Sequence, residues 1–149
     1  MIRLIMVIAT GLYSGYLPKA PGTWGSIVGL IVYFFMHTLS LPAYLATIGV
    51  LMIVGTFAAG SAEKIMDRKD PGQVVIDEIV GMLITLAAAP PHPMVWLLGF
   101  GLFRFFDILK PFPIDWIDKR IQGGVGIMMD DVVAGLYGFL VLQGLLLFL

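Results

Sequence analysis

Long apolar stretches separated by short polar segments dominate the pattern along this chain. Each stretch is bounded by proline, glycine or charged residues, which typically end helices. A membrane β-barrel would instead show segments of about ten residues in which polar and apolar positions alternate. The pattern therefore predicts about five membrane helices, at residues 25–41, 43–61, 74–89, 94–110 and 130–149.

The N-terminal segment is apolar as well, but it is short. A helix over residues 1–12 would be about 18 Å long at 1.5 Å per residue, whereas the hydrocarbon core of a bilayer is about 30 Å thick. We expect a half-inserted or interfacial helix there. The predicted fold class is all-α, a polytopic membrane helix bundle in which residues 1–149 form a single membrane-embedded domain.

Composition supports a membrane protein and excludes several functions. Hydrophobic residues make up 59% of the chain and charged residues 13%, whereas soluble domains carry roughly 25% charged residues. A net charge of -1, with nine Lys and Arg spread along the chain, gives no basic surface for nucleic acid. The absence of Cys excludes disulfides, a thiolate nucleophile and a metal site built from Cys.

Charge in the loops predicts the orientation. Residues 63–70 and 110–120 carry nearly all the Lys and Arg between the apolar stretches, and the loops at 37–42 and 89–93 carry none. The positive-inside rule places the two basic loops in the cytoplasm. The carboxylates within apolar segments then lie at or near the cytoplasmic face. Such carboxylates are costly and usually face a polar cavity, so we expect one functional pocket there.

The first polar motif is Leu17-Pro-Lys-Ala-Pro-Gly-Thr-Trp-Gly-Ser26. Its prolines and glycines predict a tight turn before a helix that starts near Ser26. A loop that leads into a helix N-terminus can bind an anion through free amides and the helix dipole, with Lys19, Thr23 and Ser26 as polar contacts. A plain Ser N-cap beside an interfacial Trp explains the motif equally well.

The second motif places Asp77 and Glu78 at the start of an apolar helix. Gly81 lies one turn after Asp77, on the same face, where we expect it to allow another helix to approach closely. Adjacent helical residues diverge by about 100°, so the two carboxylates point in different directions. One of them can bind a metal while the other orients it or a water. The alternative is a solvated first turn in which the acids favour the helix dipole.

The third motif runs from Phe103 to Gly135. Arg104, Asp107 and Lys110 are spaced three apart, which predicts a stripe of mixed charge along one helix face, although Lys110 alone is explained by snorkelling to the interface. Asp130 and Asp131 then open a helix after a glycine-rich turn. A glycine again follows one turn later, as in the second motif.

The carboxylates exceed what structure requires. Hard oxygen ligands suit Mg²⁺ or Mn²⁺, and Mg²⁺ commonly uses only one or two carboxylates together with water and substrate phosphate. We therefore expect a metal site in which some acids bind the ion and others support it.

Taken in order, these motifs resemble the phosphatidylglycerophosphatase A family, over residues 11–135. The resemblance implies a Mg²⁺-dependent phosphatase of the bacterial inner membrane. Its substrate is phosphatidylglycerophosphate, and its products are phosphatidylglycerol and inorganic phosphate. The partners expected on this basis are that substrate and the membrane lipids.

Residue types narrow the chemistry of a phosphatase. Without Cys there is no cysteinyl-phosphate route. His37 and His92 are predicted on the side opposite the acids, which argues against a phosphohistidine intermediate in the same pocket. An aspartyl-phosphate intermediate stays open, but attack by a metal-activated water is favoured. Expected metal ligands are Asp77, Asp107, Asp130 and Asp131. Expected catalytic residues are Glu78 as ligand or general base, and Lys19, Arg104 and Lys110 as a cationic phosphate clamp. Expected substrate contacts are Lys19, Thr23, Ser26, Arg104 and Lys110.

Three rival functions remain. The first is a small divalent-cation channel or transporter, in which the same acids would line a path, although no acid marks the outer half. The second is a CDP-alcohol phosphotransferase, whose Asp-Gly and Ala-Arg pattern is absent here. The third is a purely structural bundle, which would carry costly carboxylates without purpose.

Overall fold

The computed structural model describes residues 1–148, and over that range it contains helices and no strands. The all-α prediction is confirmed. The α-helices are α1 (Ile2–Ala9), α2 (Pro21–Met36), α3 (Leu41–Ile65), α4 (Ile76–Thr85), α5 (Pro93–Leu109), α6 (Ile114–Arg120) and α7 (Gly123–Leu146), and a 3₁₀ turn spans Ser14–Tyr16.

Helix α4 forms the centre of the bundle. It packs against α2, α3, α5 and α7, and nine of its ten residues are buried, with Glu78 only partly so. Ten residues give a helix about 15 Å long, half the thickness of a bilayer core. The stretch predicted as a membrane helix at 74–89 is therefore a short core helix enclosed by its neighbours.

Two helices, α3 and α7, are long and apolar enough to cross a membrane. The prediction of about five membrane helices is not confirmed by helix length. Large apolar side chains nevertheless cover the outer faces of three helices: Phe35 on α2 is 72% exposed, Phe57 on α3 74% and Ile108 on α5 67%. An exposed apolar surface of this extent, together with α3 and α7, is typical of a membrane protein.

Two helix starts differ from their predicted positions. Helix α2 begins at Pro21, not near Ser26, because proline fits the first helical position, where an N–H is not needed. Helix α7 begins at Gly123, so Asp130 and Asp131 lie in the interior of the helix and not at its start. A short helix, α6, separates α5 from α7 and was not predicted.

The contact between α4 and α7 depends on paired glycines. A Cβ on Gly135 would lie 2.6 Å from the carbonyl oxygen of Gly81, and a Cβ on Gly81 would lie 2.8 Å from the carbonyl oxygen of Asp131. Thr85 Oγ1 also donates to the Gly135 carbonyl at 3.2 Å. The close helix approach expected at Gly81 is confirmed, and Gly135 is the glycine that meets it from α7.

Candidate active site

Three aspartates from the two central helices converge at one end of the bundle. Asp77 lies in the first turn of α4, and Asp130 and Asp131 lie on α7. The two helices are brought together by the contact of Gly81 with Gly135, which we call the glycine crossing. Each residue offers a carboxylate oxygen within 4.8 Å of the others, and all three residues are buried. We call these three residues the aspartate cluster.

The carboxylates differ in how well they are satisfied. Asp130 accepts from the Asp131 amide at 3.0 Å and from Lys110 Nζ at 2.8 Å. Within residues 1–148, Asp77 Oδ1, Glu78 Oε2 and Asp131 Oδ2 are buried without a hydrogen-bond partner. Buried charges of one sign are unfavourable unless a counter-charge compensates them. A hard divalent cation bound by these oxygens would supply it, so the donor set fits such an ion.

Helix α5 brings an ion pair to the same region. Arg104 Nη1 donates to Asp107 Oδ2 one turn further along the helix, as their spacing predicted. Within residues 1–148, Asp107, also expected as a metal ligand, is not one of the three residues whose carboxylate oxygens converge. Gly22, at the start of α2, closes the site from another side. A Cβ there would lie 2.6 Å from Glu78 Oε1 and 2.9 Å from Arg104 Nη1, so only glycine fits without displacing them.

Lys110 leaves the predicted stripe because α5 ends at Leu109. Lys110 itself adopts a left-handed backbone conformation, with φ at 45°, ahead of Pro111. Its Nζ contacts Asp130 Oδ2 at 2.8 Å and Asp118 Oδ1 on α6 at 3.2 Å. Burial alone would lower the pKa of Lys110, but the interactions with Asp130 and Asp118 raise that pKa overall, so the ammonium stays charged.

The polar residues of the first motif are placed less centrally than Gly22. Lys19 is exposed and makes no ion pair with any residue of the described range. Thr23 is half-buried in the first turn of α2. Ser26 is buried, and its hydroxyl donates to the Gly22 carbonyl at 2.8 Å. The direct link between this motif and the acids is therefore its glycine backbone.

Both histidines lie at the other end of the bundle, as predicted. His37 follows the C-terminal end of α2, whose N-terminal end approaches Glu78. His92 caps the N-terminus of α5, where it accepts from the Met94 amide at 3.2 Å.

Sequence reasoning assigned no role to Asp118 or Gly22, which both contact the site. Pro111 and a change of helix direction separate Asp118 from Lys110, so no periodic spacing links the two residues. Gly22 is one of several glycines in its motif. Only the packing of α2 onto α4 and α5 distinguishes it.

Two relatives of this chain are named phosphatidylglycerophosphatase A. The chain is 40% identical over 143 residues to the one from Haemophilus influenzae, and the alignment covers 95% of this chain and 88% of the relative. It is 38% identical over 130 residues to phosphatidylglycerophosphatase A of Escherichia coli K12, which covers 87% of this chain and 76% of the relative.

A third relative, from Bacteroides thetaiotaomicron, has a name that proposes phosphatidylinositol-3-phosphatase activity. It is 39% identical over 146 residues, covering 93% of this chain and 91% of the relative. No solved structure matches the chain significantly. The sequence profile of phosphatidylglycerophosphatase A matches residues 7–146. These similarities show that the chain belongs to the phosphatidylglycerophosphatase A family.

Proposed function

We propose that this protein hydrolyses phosphatidylglycerophosphate to phosphatidylglycerol and inorganic phosphate, with Mg²⁺ as cofactor. The observation that carries the proposal is the aspartate cluster, in which Asp77 and Asp131 keep buried oxygens without partners in a chain of this family. A cation channel would not need such a cluster at one end alone, and its sequence relatives would not be named as phosphatases.

Asp77, Asp130 and Asp131 would hold the Mg²⁺, with Asp107 as a further ligand or as support for Asp131. When bound, Mg²⁺ would supply Lewis-acid activation of water and neutralise charge on the phosphoryl group. The pairing of Lys110 with Asp130 orients that carboxylate. It also places a positive charge beside the site.

The remaining polar side chains would act on the phosphate and on protons. Arg104, whose guanidinium pairs with Asp107 and lies near Glu78, would neutralise charge on the phosphoryl oxygens. Glu78 Oε2 is unpartnered and takes the proton that the attacking water loses, as a general base. Lys19 and Thr23 would contact the headgroup from the loop and the first turn of α2. Ser26 would act through the Gly22 carbonyl.

The chain would form a single multi-pass domain in the bacterial inner membrane. Helices α3 and α7 cross the bilayer, and α2 and α5, about 24 and 26 Å long, nearly do so. Helix α4 completes the five as a membrane-embedded core. The aspartate cluster would face the cytoplasm because the basic loops lie at its end of the bundle. At that depth the phosphate of the lipid meets water.

Phosphate release by purified protein tests the proposal. Detergent-solubilised protein would be given phosphatidylglycerophosphate in mixed micelles, with Mg²⁺ or with EDTA. We expect release with Mg²⁺ and none with EDTA, and recovery when Mg²⁺ is restored. If folded protein supplied with Mg²⁺ releases no phosphate, the phosphatase proposal is wrong. Equal release of phosphate in EDTA would contradict the Mg²⁺ dependence and leave the phosphatase activity standing.

A further inference from the structure

A polar cleft of about 250 Å³ lies between the start of α2 and the loop before α4. We call it the headgroup cleft. One wall is formed by the 3₁₀ turn and the start of α2, and the other by the loop before α4. Its main lining residues are Gly15, Tyr16, Pro21, Arg68, Gly72 and Gln73.

The two walls of the headgroup cleft are packed together at both edges. The backbone of Gly15 lies so close to the Gln73 carbonyl that a Cβ would collide with it, and a Cβ on Gly72 would lie 3.9 Å from Pro21 Cγ. Pro21 immediately precedes Gly22, which contacts Glu78 and Arg104. The cleft therefore adjoins the reacting end of the site.

Its polar groups are complementary to an anion that carries a hydroxyl. The Arg68 side chain is exposed at the mouth of the cleft and makes no ion pair with any residue in 1–148. Gln73 Oε1 is buried and, over the same range, has no donor. A guanidinium binds phosphate oxygens through charge-assisted hydrogen bonds, and an amide oxygen accepts from a hydroxyl.

We propose that the headgroup cleft binds the inner part of the substrate headgroup. Arg68 would bind the phosphodiester, and Gln73 would accept from the glycerol hydroxyl that lies between the two phosphates. This assignment rests on the proposed function, in which the terminal phosphate occupies the aspartate cluster. Whole ligands usually fill about 300–1,000 Å³, so a cleft of about 250 Å³ suits one headgroup fragment.

The consequence is substrate selectivity. Phosphatidylglycerophosphate carries a phosphodiester in addition to its terminal phosphate, whereas phosphatidic acid carries a terminal phosphate alone. Arg68 would therefore contribute to turnover of the first lipid and not of the second.

Paired kinetics on the two lipids test this. Wild type, Arg68→Gln and Arg68→Lys would be assayed with Mg²⁺ in mixed micelles, with phosphatidic acid followed as a substrate or, from its inhibition constant, as a competitor. For Arg68→Gln we expect kcat/KM on phosphatidylglycerophosphate to fall roughly 10- to 100-fold, the range for losing a hydrogen bond to a charged group, with phosphatidic acid unaffected. Arg68→Lys should restore part of the loss.

The controls separate the cleft from general electrostatics. Arg120→Gln removes an exposed arginine from α6 and should change neither lipid's kinetics. Gln73→Leu, checked for folding by thermal melting, should lower kcat/KM on phosphatidylglycerophosphate by roughly 2- to 10-fold and spare phosphatidic acid. Equal losses on both lipids, or none on either, would overturn the assignment and leave the proposed function intact. Wild type inactive on phosphatidylglycerophosphate would overturn both.

Discussion

The two ends of the helix bundle differ in whether their buried polar side chains have hydrogen-bond partners. At the end that carries His37, buried or half-buried side chains donate to backbone carbonyls: Tyr33 Oη to Ala89 O at 2.9 Å, Tyr44 Oη to Leu83 O at 2.6 Å and Gln143 Nε2 to Ala87 O at 3.0 Å. Those carbonyls belong to the last residues of α4 and the segment after it. Trp96 Nε1 is an exception, since it has no partner in the described range.

At the carboxylate end, oxygens of Asp77, Glu78 and Asp131 stay unsatisfied over the same range of residues. An unsatisfied buried polar group destabilises a fold by about 1–3 kcal/mol, and by more when it is charged. The same helix, α4, thus has one end fixed by hydrogen bonds within the chain and the other prepared for a group from outside it. The difference is why we place the proposed reaction at the carboxylate end.

Neutralising one member of the aspartate cluster should have the largest effect. We expect Asp131→Asn to reduce phosphate release by more than about 100-fold, the upper figure for changing a group that only supports a metal ligand. In EDTA the variant should melt at a higher temperature than wild type, because like-charge repulsion is relieved. Mg²⁺ at 100 times its Kd should stabilise wild type by about 2.7 kcal/mol and the variant by much less.

Asp67→Asn, in an exposed loop position, is the matched control and should behave as wild type. An Asp131→Asn protein that keeps the full Mg²⁺-induced rise in melting temperature would contradict a metal site at the cluster.

A substitution at the glycine crossing should have an intermediate effect, both on stability and on kcat. A Cβ on Gly81 would lie 2.8 Å from the Asp131 carbonyl and would overlap the Phe103 ring. We expect Gly81→Ala to cost about 1–3 kcal/mol of stability by overpacking and to lower kcat by displacing Asp131. Thermal melting and phosphate release measure the two effects.

Gly49→Ala is the matched substitution within helix α3, because a Cβ there meets nothing within 4 Å. It should stabilise the helix by about 0.5–1 kcal/mol and leave kcat unchanged. If both alanine variants behaved alike, the close approach of α4 and α7 would not be what positions Asp131.

The smallest effect is expected at the other end of α4. Tyr44→Phe removes the hydrogen bond to Leu83 O and should cost roughly 1 kcal/mol of stability, with kcat and KM unchanged. Chemical denaturation and steady-state kinetics would show this. A large loss of activity would mean that the two ends are not functionally separate.

The sequence predicted best those features whose alternatives cost much free energy. Carboxylates at Asp77 and Asp131 within apolar segments require compensation wherever they fold, so their convergence was predictable. Gly81, one turn after Asp77, indicated a close helix contact for a similar reason, since only a missing Cβ permits it. The all-α class followed from the length of the apolar runs.

Helix limits and long-range contacts were less predictable. Hydropathy does not distinguish a short buried helix such as α4 from a membrane span, because both are apolar. The apolar, glycine-rich segment before Asp130 concealed the start of α7 at Gly123. Asp118 and Gln73 reach their sites only through chain turns at proline and glycine, and residue spacing carries no information about those contacts.

The burial of α4 has a consequence for how the protein is made. During synthesis, α4 emerges well before α7, and its two carboxylates and ten-residue length give it little tendency to enter a bilayer alone. Its principal packing partner, α7, arrives last among the helices described. Nascent chains that stop short of α7 would therefore lack Asp130 and Asp131, so under the proposed mechanism hydrolysis would begin only after α7 has packed against α4.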